Sequence, residues 1–110
     1  MQIELYIDGE QKLFTTPVVP LRAKRLYFKI QAEAEERDKD EDHVPTYQEQ
    51  MAEEDEMVGI LANVVFGGQF TVDQVYDGAS DEYVYDKLRE AVLGKPKVKK
   101  EDNEGNNLGE

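Results

Sequence analysis

Cysteine is absent from this 110-residue chain and histidine occurs once. Nor is there any run of about 18 apolar residues, the length a membrane-crossing helix needs. Without cysteine there is no disulfide framework, no thiolate nucleophile and no thiolate-held metal, which fits a reducing compartment. No basic segment leads into a short apolar one, so neither a membrane span nor a signal peptide is expected, and the protein is expected to stay where it is made. Positive charge is also scarce: 13 Lys and Arg stand against 25 Asp and Glu, a formal net charge of −12. Phosphate backbones and anionic membrane surfaces repel such a polyanion, so nucleic acid and membrane are not expected as direct ligands. The glycine-rich phosphate motifs, G-x-G-x-x-G and Gly-Lys-Ser/Thr, are missing as well, and no nucleotide site or other cofactor is expected.

What remains is enough for one modest core. Apolar residues make up 39% of the chain, and a chain of this length holds one domain. The acid is unevenly placed. Residues 1–30 carry five basic against three acidic side chains, residues 31–58 two against twelve, and residues 59–110 six against ten.

Gln2 to Ile7 alternates polar with apolar, Asp8-Gly9 marks a turn, and Lys12 to Thr15 resumes the extended pattern, which predicts a β-hairpin over 2–15. A two-residue loop would set Leu5 against Lys12. A three-residue loop would set Leu5 against Leu13 on one apolar face, and that register is the expected one. Pro17 and Pro20 interrupt the ladder and precede a helix over about 21–37, with Ala23, Leu26, Tyr27, Ile30 and Ala34 at helical spacing. Thr46 and Glu49 have the spacing of a capping box at the head of a second helix, over 47–66. That helix is charged first and apolar from Met57 onward, and Gly67-Gly68 ends it. Thr71 with Gln74 caps a short helix over 72–77, stopped by Gly78, and Ser80 caps a last one over 81–93. Residues 95–110 have almost nothing to bury and are expected to be a disordered charged tail. The expected fold is therefore α+β: an N-terminal hairpin packed on a small bundle of three to four helices, within a single domain over 1–94.

No grouping of reactive residues follows. His43 is expected to be solvated, with no nucleophile, pocket or orienting partner. The carboxylate pairs lie in the most polar part of the chain, unlike the sheltered pairs of acid–base catalysis. No catalytic, cofactor or metal residue is therefore assigned. One alternative is a calcium-binding loop over 38–49, since Asp38, Asp40, Asp42 and Glu49 fall at positions one, three, five and twelve. His43 stands at position six, where the loop needs glycine, and Pro45 at position eight. Another alternative is an acidic inhibitor that mimics nucleic acid and occupies a basic enzyme site.

Three stretches carry a resemblance. They are the hairpin end Leu13-Phe14-Thr15-Thr16-Pro17, the basic helix start Leu21-Arg22-Ala23-Lys24-Arg25, and the segment from Val65-Phe66-Gly67-Gly68-Gln69-Phe70-Thr71 to Gly78. Together they resemble the tail assembly chaperones of long-tailed, siphovirus-type bacteriophages, over about residues 1–94. The resemblance implies a non-enzymatic protein in the host cell cytoplasm that coats and solubilises the tape measure protein and helps tail tube subunits assemble around it. It implies absence from the finished virion, and the major tail (tube) protein and self-association as further contacts. It also implies a ribosomal frameshift near the C-terminus, where Gly94-Lys95 and Lys99-Lys100 can both be encoded by slippery A-rich codons. Apolar helix faces can hold a helical client while surface carboxylates keep the complex soluble. The candidate partner-binding residues are Leu26, Tyr27 and Ile30 on the first helix and Met57, Ile60 and Val64 on the second.

Overall fold

A computed structural model describes residues 1–94. Strands β1 (Gln2–Ile7) and β2 (Glu10–Thr15) form an antiparallel hairpin, followed by helices α1 (Leu21–Asp38) and α2 (Tyr47–Gly59). A π-helical segment (Ile60–Val65) continues α2, and helices α3 (Val72–Gly78) and α4 (Asp81–Leu93) complete the chain. This is the expected α+β arrangement of a hairpin on a helical bundle. The tail expected over 95–110 lies outside the described residues.

The hairpin register differs from the expected one. Leu5 pairs with Lys12, and Glu4 with Leu13. The cause is the turn: Asp8 (φ 54°) and Gly9 (φ 80°) are both left-handed, the conformation of a two-residue loop whose twist matches that of the strands. Leu13 is left on the outer face, 54% exposed, while Ile3 and Leu5 enter the core.

Local chemistry sets the helix starts. Thr46 Oγ1 accepts from the Glu49 backbone N–H at 3.0 Å while the Glu49 carboxylate accepts from the Thr46 N–H at 2.9 Å. Thr71 and Gln74 repeat the exchange at 3.1 and 2.9 Å, and Ser80 Oγ accepts from the Tyr83 N–H. Each such cap is worth about 1 kcal/mol, because it satisfies N–H groups the first turn cannot.

A continuous α-helix over 47–66 is not what forms. From Ile60 the turns widen, and Phe66 N–H donates to Leu61 O, five residues back. The burial pattern explains the change. Met57/Val58, Leu61/Ala62 and Val65/Phe66 are all buried, in pairs that recur every four residues. A period of four lies between the 3.6 of an α-helix and the wider turn of a π segment, so the wider turn keeps the pairs on one face.

That face is the centre of the core, joined by Ile3 and Leu5 from the hairpin, Ala23 and Ile30 from α1, Val75 from α3, and Val84, Leu88 and Val92 from α4. Gly78 packs against β1 so closely that an added Cβ would lie 2.4 Å from the Tyr6 carbonyl oxygen.

Candidate functional site

The longest of the three stretches that carry the resemblance, from Val65 to Gly78, contains a clamp. Gly67 (φ 60°) and Gly68 (φ 83°) turn the chain out of the π segment, and Gly68 N–H donates to Ala62 O at 2.8 Å. The Gln69 side-chain amide donates to Thr15 O at 3.0 Å. Phe70 sits between two other rings, 5.3 Å from Phe66 and 4.9 Å from Phe14 of β2. Thr71 then caps α3. Gln69 and Phe70 thus join the hairpin to the helices, while Thr71 sets the start of α3.

The six candidate binding residues divide by position. Ile30, Met57 and Ile60 are buried, while Leu26, Tyr27 and Val64 are half-buried against the core. Four of them, Leu26, Ile30, Ile60 and Val64, line one shallow depression of ≈ 290 Å³ between α1 and the α2–π helix. A second depression of ≈ 280 Å³ shares Ile30, Glu33 and Glu56 with it and continues past Ala34 and Ala52 to Arg37 and Glu53. The two form one seam with an apolar floor and a polar rim. From Leu26 to Arg37, α1 advances about 16 Å along it, roughly three helical turns. Tyr27 and Met57 do not line the seam. The sequence reading missed its rim residues Glu33 and Glu56 and its glycine, Gly59. The signal for Glu33 was present in the chain, at helical spacing from Ile30 and Arg37.

The acidic middle is organised locally. Arg37 contacts Asp38 at 3.3 Å and Glu53 at 3.5 Å, and the bond to Asp38 holds its guanidinium above the ordinary value. His43 has the orienting partner that the sequence reading denied it: Nε2 lies 3.1 Å from Glu49 Oε1. That contact depends on the α2 capping box, which fixes Glu49 six residues away. The Thr46 N–H, then nearby His43 and Arg37, hold the Glu49 carboxyl below the usual range. Of the suggested calcium ligands, Asp38 ends α1 and contacts Arg37, Asp40 accepts from the Asp42 N–H, and Glu49 serves the cap. Among the described residues, no three carboxylate or imidazole groups converge to hold a metal. Tyr76 of α3 donates to Asp55 of α2, and burial followed by that bond raises its phenol above 10.0. No helix among the described residues is long and apolar enough to cross a membrane.

Compared with protein families, the chain matches the family described as phage tail chaperone protein over residues 1–110. The chain belongs to that family. Comparisons with curated proteins and with solved structures returned no match. As a phage tail chaperone it serves tail assembly, and its partners are proteins of that assembly. The geometry agrees with a role through contact, since the chaperone presents a clamp, a core and an apolar seam.

Proposed function

We propose that this chaperone binds the tape measure protein in the host cell cytoplasm, keeps it soluble, and assists assembly of the tail tube around it. The observation that carries the reading is the apolar seam between α1 and the α2–π helix, open on a chain of formal charge −12. An elongated helical client needs its apolar stripe covered before the tube encloses it, and a carboxylate-rich cover keeps the complex in solution. The role is non-enzymatic and uses no cofactor, and the chaperone leaves before the virion is complete. Contact with the major tail protein, self-association and a frameshifted longer product belong to the same reading.

Co-expression tests it. The soluble fraction of the tape measure protein should rise several-fold when the chaperone is present, and the two should co-purify. Purified virions should contain no chaperone peptides by mass spectrometry. A tape measure protein that stays insoluble and uncaptured would end this reading.

A further inference from the structure

Resting on that client-binding reading, the geometry points to the seam as the docking groove for one kind of partner: an amphipathic helix whose apolar stripe is flanked by lysine or arginine. Three observations carry this. First, the floor runs Leu26, Ile30, Ile60 and Val64 at one end to Ala34 and Ala52 at the other. Anchors at i, i+3, i+4 and i+7 of a helix span about 10 Å, which fits within the roughly 16 Å available.

Second, the rim selects charge. Glu33 and Glu56 come from the two facing helices, line both depressions, and make no ion pair among the described residues. Glu49 and Glu53 add two carboxylates at the far end, beside Arg37, and Lys29 is a cation at the near end. Four carboxylates against two cations favour a basic occupant.

Third, Gly59 lies on the groove with ordinary helical geometry (φ −59°, ψ −31°). An added Cβ there would meet only the Asn63 side-chain amide, at 3.7 Å. Neither backbone conformation nor crowding calls for glycine, and glycine within a helix is unfavourable relative to alanine. The missing side chain instead keeps the groove open between Glu56 and Val64.

The test uses the full chain and two synthetic helical peptides with the same apolar stripe, one flanked by lysine and one by glutamate, read by fluorescence anisotropy. The lysine peptide should bind, weaken in high salt, and bind at least about tenfold more tightly than the glutamate peptide. Gly59→Leu should fill the groove and lose the lysine peptide while keeping its melting temperature. Reversing the exposed rim with Glu33→Lys and Glu56→Lys should weaken the lysine peptide about five- to tenfold and strengthen the glutamate peptide; this pair decides the matter should Gly59→Leu fold poorly. Equal binding of both peptides, or unchanged binding by the rim variant, overturns the proposal. So does a Gly59→Leu protein that binds as before but assembles to a different mass, since the occupant would then be a second copy. If wild type and Gly59→Leu solubilise the tape measure protein equally, the groove is wrong and the chaperone reading stands; if wild type fails too, the reading itself falls.

Discussion

Replacing Gly78 by alanine should destabilise the fold even though alanine is the better helix former. Gly78 is buried at the end of α3, and its φ is not left-handed, so alanine's backbone preferences do not oppose the change. The new methyl would lie 2.4 Å from Tyr6 O, 3.0 Å from Tyr6 N and 3.2 Å from Tyr6 C. Ordinary contact begins near 3.4 Å, so α3 and β1 must separate by 3.4 − 2.4 = 1.0 Å. All three atoms are backbone, and no side-chain rotation can relieve them. Separation would disturb fully buried Val75 one turn away and the neighbouring bond from Glu4 N–H to Tyr83 Oη, 2.9 Å. Overpacking of this kind costs about 2–3 kcal/mol. Alanine's helix preference returns up to about 1 kcal/mol. The net loss is about 1–2 kcal/mol, which in a domain this small lowers Tm by about 4–8 °C per kcal/mol. Urea denaturation and a thermal melt measure it, with Gly59→Ala as the control: there the methyl has room, and a gain of about 0.5–1 kcal/mol is expected. If Gly78→Ala matches or exceeds wild type, the close approach of α3 to β1 is wrong.

Other outcomes follow from the same contacts. Phe70→Ala, which empties the site between Phe14 and Phe66, should cost about 3–5 kcal/mol by denaturant titration, much of the stability of a small domain. Thr71→Ala removes one capping oxygen and should cost about 1 kcal/mol by the same assay. The folded value of Glu49 is lowered, so the stability it contributes is full above 4.5 and lost as pH falls through that lowered value. Glu49→Gln should therefore be less stable than wild type at neutral pH and converge with it in acid. For Tyr76 the sign is opposite: its raised phenol contributes stability below 10.0 that is lost as pH rises through the folded value. In an alkaline absorbance titration Tyr76→Phe should remove a late-ionising tyrosine and no early one.

Much of the fold was legible because it is written in near neighbours. Thr46 with Glu49 and Thr71 with Gln74 are three residues apart, and a hydroxyl facing a first-turn N–H at that spacing has one geometry to adopt. The apolar stripes of α1 and α4 show in their helical spacing. The hairpin was legible too, but its register followed the turn at Asp8-Gly9 rather than the attraction of Leu5 for Leu13. Two left-handed residues close a ladder at a fixed length whatever lies beyond them.

The candidate site was only half legible. Leu26, Ile30, Ile60 and Val64 stood out as apolar, yet nothing local says that two of them face two others across a seam, or that Glu33 and Glu56 meet at its rim.

By itself, then, the amino-acid sequence determined where the hairpin turns and where the four α-helices start, which side of each is apolar, and that the surface would be a polyanion. Those properties depend on residues within a turn or two of one another. The tertiary structure alone decided the π segment, the closeness of Gly78 to Tyr6, and the seam. Each depends on what packs opposite, and partners such as Thr15 with Gln69 or Glu4 with Tyr83, 54 and 79 residues apart, come together only when the core closes.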